Sequence, residues 1–267
     1  MSKTFAIFKS NSELAQKTSF EITNRLINLG FVIDEENPNY VISIGGDGTF
    51  LRAIQKYKDY KTTFANINCG NFGYLCEFDS FEVDQLIEAI SEGNERKELS
   101  LLEGIYNENR FYALNEFRVE SSEGDTIVFD VYIDNIYLET LRGDGCCISS
   151  TTGSTGIARS LGGPIIDHKL EVVEFIEKAP VQNRTYQSIR TPLVLSKETE
   201  ITVTNFRNNK FALHYDSNTF KVEDENAEFT FRYSDKTIEV IKNKNNKYVS
   251  KTREAFIYES NWWNYTT

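Results

Sequence analysis

The segment from Val41 to Ile54 constrains the fold more than any other stretch of this 267-residue chain. An apolar run, Val41-Ile42-Ser43-Ile44, meets Gly45-Gly46-Asp47-Gly48-Thr49 and passes directly into Phe50-Leu51-Arg52-Ala53-Ile54. An extended run, three glycines around one carboxylate and a helical pattern read as strand, tight loop and helix. Glycines let a backbone turn sharply and come close to a ligand. The first N–H groups of the helix lack intrahelical acceptors and attract anions. A carboxylate is out of place at a plain anion site, so Asp47 points to proton or metal chemistry beside a phosphate.

The neighbouring sequence repeats this alternation. Phe5-Ala6-Ile7-Phe8 reads as a buried strand, Ser10 and Glu13 have capping-box spacing, and Leu14, Ile22, Leu26 and Leu29 follow at near-helical intervals until Gly30. Residues 31–33, 40–44 and 64–67 read as further strands, and Val83, Leu86, Ile87 and Ile90 as a helix ending at Gly93. Strands alternating with helices predict a parallel sheet covered by helices, a Rossmann-like α/β domain. From about Leu99 the pattern changes. Asn107-Glu108-Asn109 and Asp134-Asn135 separate short alternating runs, and more strand-like runs follow to Ile241. The expected organisation is an α/β domain over 1–97, an all-β domain over 98–250 and a C-terminal segment over 251–267. That last segment carries Phe256, Ile257, Trp262 and Trp263, too apolar to hang in water, and is expected to pack back on the first domain.

Charge and cysteine usage exclude several classes. A net charge of −11 argues against a general binder of nucleic acid or anionic membrane, which needs a basic face. No apolar run has the length of a membrane span, and Met1-Ser2-Lys3-Thr4 lacks the regions of a signal peptide, so a cytoplasmic location is expected. The four cysteines, Cys69, Cys76, Cys146 and Cys147, have neither metal-site nor disulfide-framework spacing. They read as small buried residues in a reducing compartment.

Four local signals carry chemistry. The first is the GGDGT loop; neither a Walker A lysine pattern nor G-x-G-x-x-G is present. The second, Asn68-Cys69-Gly70-Asn71-Phe72-Gly73, follows a strand, and ligand sites on parallel sheets lie at the carboxyl ends of strands. Alone it is an ordinary turn. The third is Asn115-Glu116 within the extended stretch 112–117; adjacent residues of a strand point opposite ways, so the pair alone reads as an ordinary edge strand, or as one with a polar residue turned inward. An inward Asn offers a donor and an acceptor to a base, and a carboxylate suits ribose hydroxyls. The fourth runs from Arg142-Gly143-Asp144-Gly145 through Cys146-Cys147-Ile148 into Ser149-Ser150-Thr151-Thr152-Gly153-Ser154-Thr155-Gly156, with Leu161-Gly162-Gly163-Pro164-Ile165 beyond. Its hydroxyls supply short hydrogen bonds to a polar ligand. The bland alternative is a flexible Ser/Thr loop.

Together these four signals resemble the NAD kinase family, in order and separation, from about Phe5 to Leu195, and Arg253-Glu254-Ala255-Phe256-Ile257 resembles its closing segment. The resemblance implies transfer of a phosphoryl group from ATP, or polyphosphate, to the adenosine 2′-hydroxyl of NAD. It implies Asp47 as general base and Gly46, Gly48 and Thr49 beside the phosphates. Asn115 and Glu116 would hold adenine and ribose, Arg142 and Asp144 the nicotinamide end, and Thr152 and Thr155 the adenine pocket. Phe72, Gly156, Ile157, Ser160 and Ala179 complete the expected binding set. Mg²⁺ and a homo-oligomer, a dimer or tetramer whose subunits complete each other's sites, are implied as well. Ile157 departs from the family's usual Tyr and alters the adenine pocket. The motifs leave two other readings, a diacylglycerol-type lipid kinase and a non-catalytic NADP-binding sensor.

Overall fold

The computed structural model describes residues 3–93, 95–207, 211–224, 226–244 and 248–257. The chain forms two compact units, one of residues 1–98 with 238–267 and the other of residues 99–237.

The first unit opens with β1 (Thr4–Lys9), α1 (Glu13–Asn28), β2 (Val32–Ile33), β3 (Tyr40–Ile44), α2 (Asp47–Tyr57), β4 (Thr63–Asn68), β5 (Phe78–Asp79) and α3 (Val83–Glu92). These strands pair in parallel, in the order β2-β1-β3-β4-β5. Every residue of β3 and β4 is buried, as strands covered on both faces require. β1 leads outward to β2, whereas β3 leads the other way to β4. The sheet therefore changes direction between β1 and β3, and the carboxyl end of β3, where Gly45 follows, borders that switch point.

Two local expectations differ from the structure. The cap of α1 is Ser12, which accepts the Ala15 N–H at 3.2 Å, and the Ser10 hydroxyl meets that of Ser12 instead of a helix N–H. The helix starts at Glu13, so Ser10 is two residues too early to reach an unpaired N–H. The buried stripe of α1 is Ala15, Thr18, Ser19, Ile22 and Leu26, while Leu14 and Leu29 are exposed. α3 ends as expected at Gly93, whose φ of 72° suits a left-handed C-cap.

The second unit is β-rich. Its strands are β6 (Arg96–Tyr106, entering from the first unit), β7 (Asn109–Ala113), β8 (Glu116–Ser121), β9 (Ile127–Ile133), β10 (Ile136–Gly143) and β11 (Gly145–Ser150). A 3₁₀ turn (Thr152–Thr155) and α4 (Ile157–Ser160) precede β12 (Val172–Lys178), β13 (Leu193–Ser196), β14 (Ile201–Thr204), β15 (Phe211–Tyr215), β16 (Asn218–Val222) and β17 (Phe229–Ile241). One antiparallel sheet has the order β13-β12-β11-β8-β15-β16, and β10-β9-β14-β17 belong to the other. Phe117, Ile148, Val173 and Phe175 of the first share a core with Phe129, Val203, Phe229 and Phe231 of the second. The β9–β10 hairpin turns on Asp134 and Asn135, both at positive φ.

Residues 238–241 of β17 group with the first unit, although the sequence placed 98–250 in the β-rich domain. The reason is pairing: Glu239 and Val240 run parallel to Thr63 and Phe64 of β4. The chain ends in α5 (Tyr248–Phe256), also in the first unit, where Phe256 stacks on Tyr74 at 6.0 Å between ring centroids. Residues 248–257 thus lie with the α/β unit; the rest of the expected C-terminal segment, with Trp262 and Trp263, lies outside the described residues. All four cysteines are buried and free, and no described helix is long and apolar enough to cross a membrane.

Candidate active site

In the first unit the site is built around Asp47. Gly46 caps α2 with extended backbone, so Asp47 is the first helical residue, half-buried. Its Oδ2 accepts the Tyr74 N–H at 2.9 Å and its Oδ1 the Leu75 N–H at 3.0 Å. The Cys76 thiol lies 3.7 Å from Oδ1. Burial raises the Asp47 pKa above its ordinary value; the two N–H groups and the charge of Lys251 pull it back. The loop that looked ordinary, 68–73, thus leads two N–H groups onto the Asp47 carboxylate. Gly73 permits this, because a Cβ there would lie 2.8 Å from Cys76 Sγ.

Lys251, which sequence reasoning missed, holds that loop from outside. Its Nζ donates to the Tyr74 carbonyl at 3.2 Å and to the Cys76 carbonyl. Burial lowers its pKa, and Glu77 opposes that drop. Glu77 is buried, pairs with Lys97 at 2.5 Å and accepts the Asn243 N–H at 3.1 Å. A cleft of about 200 Å³ lies beside these groups, lined in part by Phe72, Cys76, Glu77 and Lys251. Of the expected residues in this unit, Thr49 is buried, Gly48 exposed and Phe72 at the cleft. Among the described residues no group of three or more His, Cys, Asp or Glu side chains could hold a metal.

In the second unit Asn115 lies in a break between β7 and β8 rather than inside one extended stretch. The break has a cause: the Asp216 carboxylate accepts the N–H groups of Leu114 at 2.9 Å and Asn115 at 2.8 Å. Those N–H groups therefore leave the strand ladder. Asp216 lies between β15 and β16 at φ 47°. Asn115 Oδ1 is buried with no hydrogen-bond partner. Glu116 is buried; burial and then the Asp216 charge push its pKa up to about 7, against Arg118.

The Ser/Thr segment is a built turn. Ser150 Oγ donates to the Leu114 carbonyl at 2.6 Å, Thr151 Oγ1 to the Leu170 carbonyl at 2.6 Å and Ser154 Oγ to the Thr151 carbonyl at 2.8 Å. These hydroxyls hold the loop, leaving Thr152 and Thr155 half-buried at its surface. A Cβ at Gly153 would overlap the Asn115 carbonyl oxygen, and one at Gly156 would lie 3.7 Å from both the Asn115 amide and the Glu116 carboxylate. The turn is thus apposed to the Asn115-Glu116 pair, with Ile157 and Ser160 exposed on α4 just beyond.

Arg142, Asp144 and Ala179 form a separate group. The Asp144 N–H donates to the Lys178 carbonyl at 3.0 Å and the Val181 N–H to the Arg142 carbonyl at 2.7 Å. Ala179 is exposed at φ 46°. Lys178 pairs with Gly145, whereas Glu116 pairs with Ser149. Four residues of β11 therefore separate the two groups within one unit, roughly 13 Å at the rise of a strand. His214 belongs to neither; its Nδ1 lies 2.9 Å from Thr219 Oγ1 and its Nε2 3.8 Å from Glu120.

Comparison with known proteins decides the family. The ATP-NAD kinase N-terminal domain model matches residues 9–95 and the C-terminal domain model residues 114–243. The chain belongs to the NAD kinase family. It is 31% identical over 260 residues to the NAD kinase of Latilactobacillus sakei, covering 94% of this chain and 96% of that protein. Two solved structures share the fold. The yeast NADH kinase complexed with NADH has a TM-score of 0.85 at 18% identity, over 97% of this chain and 89% of that one. An NAD kinase from Archaeoglobus fulgidus in complex with ATP has a TM-score of 0.74 at 24% identity, over 90% and 94%. As an NAD kinase the protein is a phosphotransferase acting on NAD.

Proposed function

We propose that this NAD kinase uses ATP as donor and Asp47 as the base. The adenosine 2′-hydroxyl oxygen forms a bond to the γ-phosphorus as the bond to the β-phosphate oxygen breaks. ADP leaves, and Asp47 takes the hydroxyl proton. The observation that carries this reading is the fixing of both Asp47 oxygens by the Tyr74 and Leu75 N–H groups. Oδ1 also faces the Cys76 thiol, whereas Oδ2 keeps a second lone pair for a substrate hydroxyl. The burial-raised pKa makes Asp47 a better proton acceptor than a solvated carboxylate. Gly46 and Gly48 offer donor phosphates an open helix start, with Thr49 buried behind them.

In the second unit Asn115, with its unpartnered Oδ1, receives an adenine amino group, and Glu116 a ribose hydroxyl. Thr152, Thr155, Gly156, Ile157 and Ser160 line the adenine side, with apolar contact from Ile157. Phe72 borders the cleft of the first unit. Arg142, Asp144 and Ala179 serve the nicotinamide end. One extended dinucleotide spans the roughly 13 Å between them and Glu116 along β11, and a homo-oligomer is proposed from the family alone. The described residues make no metal cage, so Mg²⁺ enters as part of MgATP, held mainly by the phosphates.

Asp47→Asn tests the base. NAD binding should persist while kcat falls by roughly a hundredfold or more, followed as NADP formed from NAD and MgATP. Normal turnover would remove Asp47 from the role. Inactivity toward NAD with turnover of diacylglycerol would favour the lipid-kinase reading. Tight NADP binding without ADP release by the unaltered protein would favour the sensor.

A further inference from the structure

A second pair of carboxyls in the β-rich unit has no part in the chemistry above. Glu139 on β10 is 5% exposed and Glu177 on β12 is 8% exposed. Each uses one oxygen to accept a backbone N–H from the same turn: Glu139 Oε2 takes that of Ile189 at 3.2 Å, and Glu177 Oε2 that of Arg190 at 2.7 Å. The other oxygen of each, Oε1, is buried with no donor. The two side chains are within hydrogen-bond reach of each other. Two ionised carboxylates in that position would repel and leave two buried acceptors unsatisfied. One proton between them removes both defects.

We propose that Glu139 and Glu177 share a single proton and thereby clamp the 180–192 loop that walls the cleft at Ala179. This rests on the reading of Ala179 as part of the NAD site. Glu177, Ala179, Pro180, Arg190, Thr191 and Pro192 line one side of that cleft, about 250 Å³ in volume. Arg190 sits at φ 55°, a conformation its anchored N–H helps to hold. Burial, and then the neighbouring Glu177, push the Glu139 pKa up to about 7, so the clamp opens as pH rises through neutrality. Neighbouring elements carry other ionisable groups. Burial holds the Cys146 thiol of β11 protonated far above neutrality. Glu120 of β8 is kept ionised by Arg118 and Lys178, although burial opposes this. The Arg190 guanidinium bonds Gln182 at 3.2 Å.

The test uses the full chain with Glu139→Gln and, separately, Glu177→Gln. An amide keeps one donor between the two side chains at every pH. Glu116 also titrates near neutrality and shifts NAD affinity by itself, so the readout is the ratio of wild-type to variant KM for NAD. From about pH 6 to about pH 8 that ratio should rise roughly threefold or more at unchanged kcat. A ratio independent of pH in both variants overturns the proposal. Carboxyl-carbon NMR of labelled glutamate tests the proton directly. One protonated carboxyl lost from the spectrum in both variants supports the shared proton, and two ionised carboxylates at about pH 6 overturn it. Ala179→Asn, which tolerates the backbone angle, tests the underlying reading by itself. An unchanged KM there refutes the pocket wall, while the spectrum still decides the pair.

Discussion

At the scale of the residue, Gly46 separates what the fold needs from what the substrate needs. Its backbone is extended, and an added Cβ meets nothing within 4 Å. Sterics within the chain therefore do not require glycine there; a close approach of donor phosphates does. Gly46→Ala should leave the melting temperature nearly unchanged, since the helix cap loses only about 1 kcal/mol or less. The KM for ATP should rise roughly tenfold or more, because a displaced phosphate is a misplaced reactant. Equal KM values would show that the phosphates do not pass Gly46. Gly153 makes the contrast: a Cβ there strikes the Asn115 carbonyl, so that glycine answers to packing. The same glycine letter carries two different reasons, and only the structure tells them apart.

At the scale of the element, α5 determines how well Asp47 is held. Lys251 reaches the Tyr74 and Cys76 carbonyls, on either side of the Leu75 N–H that Asp47 accepts. Lys251→Met keeps the length of the side chain and removes both hydrogen bonds and the charge. Stability should fall by about 1–3 kcal/mol, and kcat by roughly tenfold to a hundredfold as the loop loses its position. Loss of the Lys251 charge also raises the Asp47 pKa further, so the acid limb of the pH–rate profile should move to higher pH. A merely structural role would leave that limb in place. Neither Lys251 nor Asp216 was legible in the sequence, for one physical reason. Each acts on backbone groups about a hundred or more positions away, 177 for Lys251 with Tyr74 and 101 for Asp216 with Asn115. What was legible is contiguous: β3 into Gly46 and α2, the Asp134-Asn135 turn, and Gly93 closing α3. In each case the residues that form the feature are neighbours in the chain. The misplaced cap at Ser10 failed at the margin of such a pattern: Ser12, which has Ala15 and no Glu three positions on, is the residue whose hydroxyl reaches an unpaired N–H.

At the scale of the whole molecule, buried glutamates set the pH of greatest stability. Glu116, Glu139 and Glu174 have pKa values pushed up to about 7 from an ordinary 4.5, burial being the first cause in each. Glu174 is 0% exposed, and neither of its oxygens has a hydrogen-bond partner. Between 4.5 and about 7 the folded chain holds protons at these sites that the unfolded chain has released, so stability falls as pH rises through that window. Glu77 has the opposite sign. Burial alone would raise its pKa, but Lys97 and the Asn243 N–H hold it below 4.5, so its contribution disappears only as pH falls below that value. Together these place the optimum on the mildly acidic side of neutrality. The net charge of −11 pushes in the same direction through self-repulsion, but salt screens repulsion between exposed charges and hardly touches buried ones. The apparent melting temperature should therefore drop by several degrees from about pH 5.5 to about pH 8 even in high salt. Glu174→Gln keeps the side-chain shape and cannot ionise, so it should lessen the drop. A melting temperature independent of pH in high salt, or a Glu174→Gln curve parallel to that of the unaltered chain, would show that these carboxyls do not control stability.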